Sequence, residues 1–154
     1  MRATGVYGDR LLSCLLFQPH RSETTTMSSF TILVTRSPFD TLAHQQAMDF
    51  IRAAINGGHQ VKRIFFYTDA VLCASANQTP IQGQNPVALQ WQELASQHHI
   101  PLQACIANAL RRGLPDSTEA KRYELTASLH SAYQLVGLGE MASALSDSDR
   151  VIQF

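Results

Sequence analysis

The sequence predicts a single α/β domain whose core is a mostly parallel sheet of about five strands, with helices on both faces. Three observations lead there. Short runs such as FTILVT at residues 30–35 are continuously β-rich, as expected for parallel strands covered on both faces. Stretches with apolar residues at helical spacing separate these runs, the pattern of strand–helix–strand units. The chain of 154 residues is the size of one domain and long enough to bury a real core.

In chain order, FTILVT is the first strand and RSPFD at 36–40 the loop after it, with Asp40 placed to cap the following helix. Ala43, Ala47, Phe50, Ile51, Ala54 and Ile55 share one face of that helix, and Gly57-Gly58 supplies a left-handed stop. Val61 to Tyr67 is the second strand, completing a right-handed parallel crossover. Thr68 to Pro86 is rich in Ser, Asn, Gln, Thr, Pro and Gly and reads as irregular, with one helical turn around Ala70 to Ala74. Val87 to Gln97 is helical, its stripe drawn from Leu89 or Gln90, Trp91 and Leu94. Ile100 to Ile106 is the third strand, and Gly113 breaks the element after it. Asp116 or Ser117 caps another helix, where Glu119 suits the dipole. Tyr133 to Val136 is a short fourth strand, Leu138 to Leu145 a last helix, and Arg150 to Phe154 the fifth strand.

Residues 1–26 do not read as part of this domain. They hold one short apolar patch, Leu11 to Phe17, and a polar tail ending before Met27, without the small-residue cleavage site of a secretory signal. They are expected to be a disordered or mis-assigned extension, with the domain spanning 27–154.

Composition excludes several classes of function. Beyond residue 26, nine Lys and Arg face ten Asp and Glu, whereas a chain gripping nucleic acid by its phosphates should be clearly basic. No apolar run approaches the roughly 20 residues of a membrane helix. Three cysteines, Cys14, Cys73 and Cys105, are too few for a disulfide framework, so free thiols in a reducing cytosol are expected. There is no phosphate-binding glycine loop and no Gly-x-Ser-x-Gly elbow. His98-His99 precede Cys105 at a spacing that matches no common zinc pattern, and His59 reads as a helix-terminal or turn residue. No metal site is expected.

The chemistry-bearing stretch is IPLQACIANALRRGLPD at 100–116. In open parallel sheets, ligand and catalytic groups gather beyond the carboxyl ends of the strands. The loops holding Phe39, Cys73 and Asn108 fall at that edge, and Cys105 sits near it. From its flanks alone, Ala104 and Ile106, Cys105 is a small buried hydrophobe. Its flanks favour that reading, although a strand end followed by Arg111 and Arg112 also suits a thiolate stabilised by positive charge. Those arginines could instead lie on a solvated face or bind a neighbouring subunit's carboxylate. Cys73 reads first as a space-filling thiol, with a second thiol at the same edge as the alternative.

Cys105 with ALRRGLPDSTEA after it, the strand VKRIFFYTDAV before it and the tail GLGEMASALSDSDRVIQF together resemble the DsrE-like sulfurtransferases, the family of the TusBCD sulfur-relay subunits. The resemblance covers nearly all of 30–154. Where the family tends to carry glycine and tyrosine after the first strand, this chain has RSPFD, with Phe39 in the aromatic position. The resemblance implies that Cys105 is the catalytic residue and carries sulfur as a persulfide, with no metal or organic cofactor. It implies TusA as donor, TusE as acceptor, and assembly with TusB-like and TusC-like chains into a cytoplasmic heterohexamer serving 2-thiolation of tRNA wobble uridine. The chain itself need not touch nucleic acid or membrane. Two rival readings remain: a DsrE-type subunit of dissimilatory sulfur oxidation, and a structural subunit whose Cys105 is inert.

Overall fold

Five strands pair in one sheet: β1 (Ser29–Val34), β2 (Gln60–Phe66), β3 (Leu102–Cys105), β4 (Tyr133–Val136) and β5 (Arg150–Gln153). The computed structural model describes residues 26–79, 82, 83 and 85–154, so the expectation for the N-terminal extension lies, but for Thr26, outside the described residues. The strand order is β4-β3-β2-β1-β5 and every pairing is parallel. Between the strands lie α1 (Thr41–Asn56), α2 (Val87–His98), α3 (Ile106–Arg111), α4 (Ser117–Tyr123), α5 (Leu138–Asp147) and a 3-10 helix over Thr68–Ala74.

In a parallel pair, residues in register share a face of the sheet, so Ile32 with Ile64 and Val34 with Phe66 lie side by side. Their face is covered by α1 and α2: Phe30 meets Phe50 edge-on at 5.4 Å, and Phe66 meets Trp91 edge-on at 5.4 Å. The opposite face belongs to α5. Thr31 there bonds Ser148 just past α5 at 2.7 Å, and Arg63 reaches Asp147 at 3.1 Å. The chain therefore steps outward from β1 to β4 and is returned by α5 to the far side of β1. The strand order reverses at β1, and the loops at its carboxyl end flank a crevice there. Ile32, Ile64, Phe65, Phe66 and Trp91 are fully buried, each contributing about 1.5–3 kcal/mol through removal of apolar surface from water.

The structure departs from the sequence reading at three places. β3 is shorter than expected, because Ile106 already begins α3. Cys105 is the last extended residue, with φ −60° and ψ 116°, and no turn residue intervenes before the helix. On α2 the buried positions are Ala88, Trp91, Leu94 and Ala95, whereas Leu89 is exposed. Asp40 occupies the N-cap position of α1 but makes no side-chain cap bond.

Asp116, by contrast, caps α4 as expected, its Oδ1 accepting from the backbone N–H groups of Thr118 at 2.9 Å and Glu119 at 2.8 Å. Asp116→Ala is expected to lower stability by about 0.5–2 kcal/mol, since two helix-terminal donors lose their acceptor. Urea denaturation would read this, and a cost below a few tenths of a kcal/mol would mean that water replaces the cap without penalty.

Candidate functional site

Cys105 ends β3, opposite Val136 of β4, at the carboxyl edge of the sheet. The placement at that edge is as expected, but accessibility is not: Cys105 is only 1% exposed. A sulfur reachable at the rim is thus replaced by one just beneath it. The cause is local. Because α3 starts at the next residue, it packs against β3, β4 and the 3-10 helix and closes the strand end, leaving Cys105 in one core with Ala104, Ala109 and Leu114.

Asn108, one turn into α3 and half-buried, donates from Nδ2 to the Cys105 sulfur at 3.1 Å. Arg112 Nη1 donates to the Asn108 backbone carbonyl at 3.1 Å and to its Oδ1 at 3.4 Å. Asp69, in the 3-10 helix, accepts from Arg112 Nε at 3.0 Å and Nη2 at 2.6 Å. The expectation for the arginine pair changes accordingly. Arg112 binds a carboxylate of its own chain and reaches the thiol through Asn108, while Arg111 is exposed.

Cys73 lies in the 3-10 helix and is wholly buried, and burial pushes its thiol far up from the ordinary value. It is a space-filling thiol, as read from the sequence, and no thiolate is available there. Its sulfur is 3.9 Å from His44 Nδ1. His44 is itself fully buried, accepting at Nδ1 from Trp91 Nε1 at 2.9 Å, with Nε2 2.8 Å from the Arg36 carbonyl. An indole N–H can only donate, so Nδ1 carries no proton and Nε2–H donates to Arg36. This brace ties the loop after β1 to α1 and α2. Sequence reasoning missed it, although residues 44, 47, 48 and 51 fall at helical spacing on the buried face of α1.

Phe39, assigned the aromatic position of the loop, is 79% exposed and does not cover the thiol. His99 closes α2 in the left-handed conformation, and His59 Nδ1 accepts from the Ser28 amide at 3.2 Å. Among the described residues no group of three or more His, Cys, Asp or Glu could hold a metal ion. None of the described helices is long and apolar enough to cross a membrane.

A cavity of about 790 Å³ opens at the carboxyl ends of β1, β2 and β5, lined by Thr35, Arg36, Tyr67, Asp69 and Gln153 among others. Cys105 is not part of its lining. Asp69 is, so the carboxylate that holds Arg112 borders the crevice at the strand-order reversal.

Comparison with known proteins gives one consistent family. A model described as the DsrE/DsrF-like family matches residues 28–154. Sulfurtransferase TusD of Salmonella dublin is 39% identical over 126 residues, covering 81% of this chain and 98% of the relative. A sulfurtransferase TusD homolog of Aliivibrio fischeri is 40% identical over 124 residues, covering 79% and 95%. Among solved structures, the ychN protein from E. coli is similar in fold, with a TM-score of 0.63 at 21% identity, over 83% of this chain and 100% of that one.

Proposed function

The chain belongs to the DsrE/DsrF-like family, and from that premise we propose that it is a sulfurtransferase whose domain, residues 27–154, carries sulfur as a persulfide on Cys105. The observation that carries the reading is the 39% identity to sulfurtransferase TusD over 98% of that relative's length. In the relay we propose, TusA is the donor, TusE the acceptor, and 2-thiolation of tRNA wobble uridine the destination. TusB-like and TusC-like subunits complete the assembly. Leu138 and Leu145, more than half exposed on α5, are apolar surface that such an assembly would cover. The near-neutral domain supports a role upstream of the RNA.

The chemistry is two thiol exchanges. The Cys105 thiolate attacks the outer sulfur of the donor's persulfide; the donor's S–S bond breaks, its cysteine leaves as thiolate, and Cys105–S–SH forms. The acceptor's thiolate then attacks that outer sulfur and Cys105 leaves as thiolate. Neither attack can proceed on a sulfur that is 1% exposed, so the proposal includes an opening of the α3 cover when a partner docks. The same burial favours a second reading, a structural subunit with an inert Cys105.

Persulfide loading of the wild type and Cys105→Ser, read by mass spectrometry, separates the two. The wild type is expected to gain one sulfur on Cys105 and the variant none, since Cys73 holds its proton too tightly to compete. Loading that survives in Cys105→Ser would end the carrier reading, and a wild type that never loads, even with its partner subunits, would favour the structural one.

A further inference from the structure

We propose that Asn108 is the hydrogen-bond donor that lets the Cys105 sulfur carry negative charge, and that Arg112 and Asp69 are positioning residues that decide which end of its amide faces the sulfur. The inference rests on the reading of Cys105 as sulfur carrier and adds the groups that make its chemistry possible under cover.

A side-chain amide has a donating and an accepting end, and only the donating end helps a thiolate. A guanidinium can only donate, so Arg112 Nη1, placed 3.1 Å from the Asn108 carbonyl and 3.4 Å from Oδ1, turns the oxygen toward itself. Nδ2 is thereby directed at the sulfur, 3.1 Å away. Asp69 in turn takes Nε and Nη2 of the same guanidinium, leaving Nη1 for Asn108. Asp69 and Arg112 are 43 residues apart, so the tertiary fold supplies this arrangement and no single helix does.

Burial makes the donor necessary. Sulfur transfer demands a thiolate twice, as attacking group on arrival and as leaving group on departure. In water, solvent would supply hydrogen bonds to that charge. At 1% exposure it does not, and a charge without a donor in such a site is heavily penalised. A neutral amide meets the need without bringing a cation into direct contact with sulfur, which would hold the leaving group in a tight ion pair.

The test is the pH titration of the Cys105 side chain in the full chain, read from its 13Cβ resonance after cysteine labelling, which needs no reagent to reach the covered sulfur and separates Cys105 from the other cysteines. Asn108→Ala is expected to move the midpoint to higher pH. Below the midpoint the thiolate fraction should fall roughly tenfold, the loss expected when one hydrogen bond to a charged group is removed. Asn108→Asp, which keeps the side chain's shape, places an anionic acceptor against the sulfur and should move the midpoint further. Arg112→Met should move it in the same direction by less. If Asn108 merely covers the thiol, the variants will leave the midpoint in place, which overturns the proposal. Failure of the carrier reading looks different, because a wild type that takes up no persulfide leaves these midpoint shifts intact.

Discussion

Trp91→Ala is expected to lower the stability of the fold by about 3–5 kcal/mol, the cost of emptying a fully buried aromatic site. Trp91 packs edge-on against Phe66 at 5.4 Å and lies 6.0 Å from the His44 ring, so the void would open between the sheet and both covering helices. The substitution also leaves His44 Nδ1 buried without its donor. For a domain of this size the loss corresponds to a fall in Tm of about 10–20 °C. Trp91→Phe divides the effect. It keeps most of the ring but removes the N–H, and should cost about 1–3 kcal/mol for the orphaned nitrogen plus a small packing loss. Urea denaturation at neutral pH would measure both variants. Should Trp91→Phe prove neutral, the indole–imidazole bond contributes nothing and the site is one of packing alone.

That brace also marks the boundary of what could be read from the sequence. Elements whose signal is local were legible. β4 spans Tyr133–Val136 as expected, and Gly58 and Gly113 take the positive φ that ends their helices. The β3–α3 junction was not legible, because Cys105 and Ile106 are joined without glycine, proline or a polar turn residue. On α2, Trp91 and Leu94 are buried as read, but the stripe is completed by Ala88 and Ala95 and not by Leu89 or Gln90. Small alanines raise hydrophobicity too little to draw attention, although they let the helix approach the sheet. The site divides the same way. The place of Cys105 at the end of its strand was legible, whereas its role as sulfur carrier was implied only by the resemblance of the surrounding stretch; its cover was not foreseen, and neither were its partners. Asn108 lies three residues on and can be suspected from helical spacing once α3 is known. Asp69 carries no sequence mark linking it to Arg112, and Trp91 stands 47 residues from His44. Such pairs come from the stacking of successive crossover units, which sequence periodicity cannot resolve.

Acid should expose the brace selectively. Burial in the core holds the His44 imidazole below its ordinary value of 6.5, against the opposing pull of the Arg36 and Ser37 backbone and of Asp40. Protonating Nδ1 would set N–H against the Trp91 N–H, and among the described residues the other hydrogen-bond contact of that nitrogen is the Cys73 sulfur at 3.9 Å. The folded chain therefore keeps His44 neutral at pH values where the unfolded chain protonates it. The unfolded state then binds more protons, and stability must rise with pH. His44's contribution is complete above 6.5, shrinks as the pH falls below that value, and is lost once the folded-state value is passed. Over that window the slope approaches about 1.4 kcal/mol per pH unit. Asp149 works in a lower window. Bonds from Ser29 hold its carboxyl below 3.8, so its contribution stands above that pH and disappears only in stronger acid. Unfolding free energies of the wild type and His44→Gln between pH 7 and 5 separate the two groups. The variant should be less stable at neutral pH and lose less on acidification, so that the curves converge; curves that run parallel across the window would show that the buried imidazole takes up its proton without cost. Trp91→Phe should flatten the slope as well, because it removes the N–H that opposes protonation, and that result would tie the acid response to the same bond that Trp91→Ala breaks.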